Sequence, residues 1–254
     1  MRLERICRGN YFGGHFVKVG DPNGEIFSRN PADLEVQKLA FPFNYEHIHE
    51  AASHAKRAFK TWRRLPAKER YTHLAKFREV MKSHSKELAH CISHEVGKPL
   101  WEAELEVQDS LEMISYFLDQ GSQTTVELQV PEPAENCKGT IHFLARGVFA
   151  VISPAVQPLL VPTSHFVPAL VNGNTVVVKS SKYAPMVGQF LALFAHEAGF
   201  PAGVFNMIHG DSEAGRRLTL HSDIDGVLYT GTQETGVKIQ KQILSDYWKI
   251  FIME

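Results

Sequence analysis

Gly173-Asn174-Thr175-Val176-Val177-Val178-Lys179 is the stretch whose reading decides the fold. A β-branched run behind a Gly-Asn turn predicts a short strand buried on both faces. A helix is expected next. In Met186–Ala198, the residues Val187, Phe190, Leu191, Phe194 and Ala198 share one side, and Gly199 with Pro201 closes the segment. The alternation then repeats. Val204–Ile208, Gly226–Tyr229 and Ile250–Met253 read as strands; Glu213–Leu220 and Gln233–Leu244 read as helices. Upstream, Val148–Ile152 behind Gly147 is a further strand. Strands alternating with helices imply an α/β fold, a parallel doubly wound sheet with helices on both faces. Such sheets bind ligands at the carboxyl ends of their strands. Lys179 ends its strand, so it either points into that crevice or stands as a solvated lysine. Ile250–Met253 reads as a strand buried on both faces, which calls for a turn and a packing partner after it; the sequence reads as cut rather than finished.

Residues 10–29 suggest a β-hairpin. His15, Phe16, Val17 and Val19 precede Asp21-Pro22-Asn23-Gly24, and Ile26 and Phe27 follow. Asn-Gly supplies the positive φ angles of a tight turn. Residues 45–119 read as a helical layer with Asn44 as N-cap. Ile48, Ala51, Ala52, Ala55, Phe59 and Trp62 form one apolar stripe. A second helix starts after Pro66, with Tyr71, Leu74, Phe77, Met81 and Leu88 on one face; Gly97-Lys98-Pro99 ends the pattern. A third runs roughly from Leu100 to Leu118. Residues 125–146 look extended, broken by Pro131 and Pro133, as in a long hairpin or an arm that pairs with another chain.

The 254 residues carry 27 basic and 28 acidic side chains, a net charge of −1. No global field draws nucleic acid or an anionic membrane. No apolar run approaches the roughly 20 residues of a membrane span, and no early stretch reads as a secretory signal. Three cysteines, Cys7, Cys91 and Cys137, suit a reducing cytoplasm better than a disulfide framework. His90, Cys91 and His94 lie within about one helical turn, without a second cluster of zinc-finger spacing, so no metal site is expected. The Gly-x-Gly-x-x-Gly and Gly-x-x-x-x-Gly-Lys-Ser/Thr phosphate signatures are missing. Tyr229-Thr230-Gly231-Thr232-Gln233-Glu234-Thr235-Gly236 instead follows a strand and opens a helix. Its free N–H groups and the Thr232 hydroxyl suit an anion, or the segment is an ordinary strand–helix turn.

Several of these stretches resemble the aldehyde dehydrogenase family. Gly173–Lys179 looks like that family's strand leading to the adenosine-binding lysine. Gly199-Phe200-Pro201-Ala202-Gly203-Val204-Phe205-Asn206 is similar to its next helix end and strand. Tyr229-Thr230-Gly231-Thr232 resembles its Phe-Thr-Gly-Ser pyrophosphate turn, and Glu95-Val96-Gly97-Lys98-Pro99 also matches. The resemblance runs in family order from about residue 8 to the last. Among subfamilies, His94–Val107, Gly139–Pro154 and His165–Lys179 look most like succinylglutamic semialdehyde dehydrogenase.

The resemblance implies a Rossmann-like NAD or NADP domain at 147–254. It implies a hairpin and helical part at 1–124, and an oligomerisation arm at 125–146 that makes homo-oligomers. It implies oxidation of a small-molecule aldehyde to an acid. There a Cys thiolate attacks the aldehyde, hydride passes to nicotinamide, a Glu activates water, and an Asn side chain helps hold the oxyanion. Carried over, the cofactor contacts are Ile152, Ser153, Pro154, Lys179, Lys182, Gly210, Gly215, Thr230, Gly231, Thr232 and Thr235. Glu254 falls on the general base. The nucleophilic Cys belongs after residue 254, and no cysteine of this sequence matches it.

Three departures stand out. Val156, in Pro154-Ala155-Val156-Gln157-Pro158, occupies the oxyanion Asn position; Gln157 substitutes only if the loop slips by one residue. Lys182 replaces the acid that holds the ribose hydroxyls. It favours a 2′-phosphate, marks a lost site, or is a solvated loop lysine. Asp211, in Gly210-Asp211-Ser212-Glu213-Ala214-Gly215, brings negative charge toward a pyrophosphate. The expectation is a truncated, inactive NAD(P)-dependent dehydrogenase whose catalytic domain lies in missing sequence or on a separate carboxyl-terminal polypeptide. The alternatives are a nucleotide-binding remnant and a structural subunit.

Overall fold

The computed structural model describes residues 6–33, 38–119, 127–131 and 138–254. β1 (Asn10–Phe12) and β2 (His15–Val17) form an antiparallel pair around Gly13-Gly14, whose φ angles of 62° and 87° only glycine adopts freely. β3 (Gly24–Ser28) pairs with β4 (Leu39–Phe43), Ile26 facing Phe41, rather than with β2. The hairpin expected around Asn23-Gly24 is thus corrected. Asn23 instead accepts the Tyr45 N–H at 2.8 Å through its side-chain oxygen. Neither Asn23 nor Gly24 takes the positive φ such a turn needs (Asp21, at φ 43°, does), and β1, with buried Tyr11 and Phe12, is the partner of β2.

α1 (Glu46–Trp62) begins one residue beyond the reading, yet the Asn44 side chain accepts the Glu46 N–H at 2.8 Å. Its alanine-rich face lets it lie close on the sheet, where the Thr175 hydroxyl donates to the Ala55 carbonyl at 3.0 Å. α2 (Ala67–Ser83) and α3 (Ser85–Val96) break at His84, whose ring stacks on Phe194 with centroids 5.7 Å apart. Leu88 therefore belongs to α3 and not to the α2 face. Gly97, at φ 77°, closes α3, and α4 (Leu100–Asp119) follows. β5 (Leu128–Val130) and β6 (Gly139–Ile141) pair antiparallel; Pro133 and Cys137 lie outside the described residues.

The remaining elements alternate: β7 (Val148–Ile152), α5 (Leu160–Val171), β8 (Thr175–Lys179), α6 (Pro185–Glu197), β9 (Phe205–Ile208), α7 (Ser212–Leu220), β10 (Gly226–Tyr229), α8 (Gln233–Ile243) and β11 (Ile250–Met253). α5 escapes the sequence reading because it is apolar on nearly every side and holds Pro162 and Pro168. Pro162 sits in the first turn, where a missing N–H is tolerated. Asn174 joins two strands: its side-chain oxygen accepts the N–H groups of Arg146 and Gly147 at 2.7 and 3.0 Å.

The main sheet has the order β11-β10-β7-β8-β9-β1-β2. β11 through β9 are parallel, and β1 joins β9 antiparallel. Phe149, Val151, Val176, Val178 and Met207 face α2–α6; Val148, Ala150, Val177, Ile208 and Val227 face α1, α7 and α8. Period-2 alternation thus serves two apolar layers, the doubly wound arrangement. β11 is the edge strand, with Ile252 46% exposed, so the expectation of a strand buried on both faces is corrected.

Two buried carboxylates tie the helical layer to this sheet. Glu95 on α3 accepts the N–H groups of Met186 and Val187 at 3.0 and 2.9 Å, in the first turn of α6. Glu106 on α4 accepts those of Leu159 and Leu160 at the start of α5, at 2.8 and 3.1 Å, and pairs with Lys98 at 2.7 Å. Each carboxylate supplies what unsatisfied helix-start donors require.

Candidate functional site

From β7 the chain winds outward to β8 and β9, then returns across to β10 and β11. The reversal falls between β7 and β10, where a doubly wound sheet opens a crevice at its carboxyl edge. A cavity of about 610 Å³ lies there. Ile152 ends β7 at it and Lys179 ends β8; Gly215 and Arg216 on α7 face Thr235 and Ile239 on α8 across it.

Lys179 is the most telling group. Its side chain is only 7% exposed, and among the described residues no hydrogen bond or ion pair reaches its amine. Burial lowers its pKa to about 8; the Asp211 charge opposes that shift and Lys182 adds to it. A buried ammonium without a partner is costly unless a ligand supplies one. Asp211 does not offer a loose charge to that ligand, as the sequence suggests. Its carboxylate caps α7, accepting the Ala214 N–H at 2.9 Å and the Tyr45 hydroxyl at 3.2 Å. His209, two residues earlier, is fully buried between Phe41 and Ser180, with Nε2 unpartnered among the described residues. Burial, with Lys179 adding, pushes its pKa down to about 3.

The second cluster lies at the β10 end. The Thr232 hydroxyl caps α8, accepting the Thr235 N–H at 3.4 Å, and Gly231 donates its N–H to the Glu254 carbonyl at 3.2 Å. The Thr230 hydroxyl sits 2.8 Å from His165 Nε2 and 3.5 Å from the Glu254 carboxylate. His165 and Glu254 are 3.9 Å apart. Burial lowers the His165 pKa, and Glu254 pulls the other way. His165 has no role in the sequence reading, because its helix, α5, was not visible there. A polar ring inside the run Leu160–Val171 was the available signal.

Other candidates lie apart. Lys182 is exposed, its ammonium 4.9 Å over the Tyr183 ring, and it lines a neighbouring cavity with Glu25 and Arg29 rather than the cleft. Ser153 donates its N–H to the Lys179 carbonyl at 3.2 Å, while its hydroxyl is buried without a partner among the described residues. Pro154 is half-buried and Gly210 is buried. Val156 is 73% exposed on the loop that Glu106 anchors, and brings no donor. Cys91 lines a separate cavity of about 760 Å³ on α3 beside His90, His94 and Lys98; Lys98 is already held by Glu106. Cys7 is half-buried, and burial raises its thiol pKa. Among the described residues no set of three or more His, Cys, Asp or Glu side chains could hold a metal, and no helix is long and apolar enough to cross a membrane.

His209 also predicts acid sensitivity. Its pKa lies near 3 in the folded state against about 6.5 when unfolded, so between those values the unfolded chain binds the extra proton. Stability therefore falls as pH drops from 6.5 toward 3, by about 1.4 kcal/mol per pH unit for one such group. His47, His54, His73, His165 and His221 are shifted the same way. Urea midpoints at pH 7 and pH 5 test this, and equal midpoints contradict it.

The reversed strand order, the alternation of strands with helices and the cleft at the turning point define a Rossmann-like α/β protein. The aldehyde dehydrogenase family matches residues 18–254, and the chain belongs to that family. N-succinylglutamate 5-semialdehyde dehydrogenase of Salmonella schwarzengrund is 34% identical over 225 residues, 89% of this chain and 45% of that protein. An aldehyde dehydrogenase from Brucella melitensis biovar abortus 2308 superposes with a TM-score of 0.91 at 27% identity, over 98% of this chain and 51% of that one. An E. coli NADP-dependent enzyme gives 0.90 at 28%, over 98% and 52%. The chain thus spans about half the length of these relatives.

Proposed function

We propose that this chain binds NAD or NADP in the cleft between β7 and β10, in the service of aldehyde oxidation, with a semialdehyde as the substrate class. The observation that carries this is Lys179, a buried amine without a partner at the mouth of a doubly wound sheet. The cleft fits such a cofactor. Lys179 would meet the adenosine ribose or a 2′-phosphate, and the first turns of α7 and α8 flank the place of the diphosphate. Gly215 leaves the backbone open, while Ile152 and Ile239 supply apolar walls. The nicotinamide, when bound, accepts a hydride from the aldehyde carbon. Glu254, Thr230 and His165 form the polar group that would handle a water proton.

We further propose that these residues alone do not turn over. Val156 offers no donor where the family places its oxyanion Asn, and one such donor is worth a factor of about 10²–10³ in rate. Neither Cys7 nor Cys91 lies at the cleft, so the thiolate comes from outside the described residues. The exposed β5–β6 pair serves assembly with further copies.

Intrinsic fluorescence should quench saturably on titration with NAD or NADP. Absence of saturable binding of either at millimolar levels removes the reading. Aldehyde-dependent reduction of NAD(P) by the chain alone removes the second proposal and leaves the first.

A further inference from the structure

Among the described residues the side chains of Lys98, Lys179 and Lys249 are almost withdrawn from solvent, and of these three only Lys179 is unpaired. Lys98 is held by Glu106 at 2.7 Å, and Lys249 by Asp246 at 2.7 Å. Lys179 has no such partner among the described residues, and it opens onto the 610 Å³ cleft. That volume lies within the roughly 300–1,000 Å³ that encloses small organic ligands. Ile152 and Ile239 give it apolar walls.

We infer that Lys179 is a site of reversible covalent capture for aldehydes, its amine condensing with an aldehyde that enters the cleft to give an imine. The nitrogen lone pair forms the new C–N bond to the carbonyl carbon. Both protons of the neutral amine leave with the carbonyl oxygen as water, and no oxidant or reductant takes part. Burial favours this in two ways. It disfavours the charged amine: with a pKa of about 8, about a quarter carries a free lone pair at pH 7.5, against about one in a thousand for an ordinary lysine. It also keeps bulk water from the imine. The inference shares the cleft assigned above to NAD(P) and rests on that cleft being open to small molecules. Capture removes the cation that would meet the dinucleotide, so aldehyde and dinucleotide exclude one another.

The test uses the whole chain with pyridoxal 5′-phosphate as the aldehyde. Borohydride reduction fixes any imine, and peptide mass mapping locates it. Lys179 should be labelled at least about tenfold faster than exposed Lys60, and Lys179→Met should remove that adduct and no other. Label spread over exposed lysines with Lys179 unmodified overturns the inference. If NAD(P) binds the untreated chain and Lys179 still takes no label, the inference fails while the cofactor reading stands. If Lys179 is labelled and neither dinucleotide binds or protects it, the inference stands while the cofactor reading fails.

Discussion

Lys179→Met should weaken dinucleotide binding by about 10- to 100-fold and, at the same time, make the ligand-free chain more stable. The two effects share one cause. A hydrogen bond to a charged group is worth about 1.5–3 kcal/mol, which sets the loss in affinity. The same charge is a burden without ligand. The folded amine titrates near 8 and the unfolded one near 10.5, a gap of about 3 kcal/mol at 1.36 kcal/mol per pKa unit. Below pH 8 that penalty is fully present. Between about 8 and 10.5 the unfolded state holds the extra proton, so the stability of the unsubstituted chain rises with pH and the advantage of methionine shrinks. Urea midpoints of both proteins at pH 7 and pH 10 check the sign. A methionine variant less stable than the parent at pH 7 would refute the picture of an unpaired buried cation.

Phe77→Ala should cost about 3–5 kcal/mol, lowering the melting temperature by roughly 10 °C while leaving the dinucleotide affinity of the folded fraction unchanged. Phe77 on α2 is fully buried. Its ring meets Phe166 of α5 nearly edge-on at 5.7 Å, and lies 6.4 Å from Phe194 and 6.1 Å from Phe200. Truncation removes the ring and its edge contacts together, at the point where three helices converge. The cleft lies at the carboxyl edge of the sheet, lined by α7 and α8 rather than by this aromatic group. Calorimetry and a titration of the same sample separate the two effects. A melting temperature within about 2 °C of the parent would show that the neighbours collapse into the gap.

Short apolar runs set off by polar or glycine residues were legible. Val148–Ile152, Gly226–Tyr229 and Ile250–Met253 fall where the sequence places them, and Lys179 ends its strand as read. Period and punctuation report local burial, so they reach that far. Pairing between distant segments leaves no local trace. Nothing near Asn23-Gly24 reveals that β3 turns to β4, and nothing in His15–Val17 reveals Gly13-Gly14 as the turn. α5 is hidden for the opposite reason: buried nearly all round, it shows no stripe, and its prolines argue against it. The site shares these limits. The strand end at Lys179 is visible. The approach of His165 to Thr230 and of the Tyr45 hydroxyl to Asp211 depends on partners brought from afar.

Glu95 and Glu106 make the helical layer and the sheet one folding unit. Severing the chain between them would strip α5 and α6 of their first-turn acceptors and leave each carboxylate facing solvent with its former donors gone. The amino-terminal helices therefore act as scaffold for the loop that bears Val156, and removing the Glu106 carboxylate on α4, far away along the chain, unfastens the end of that loop.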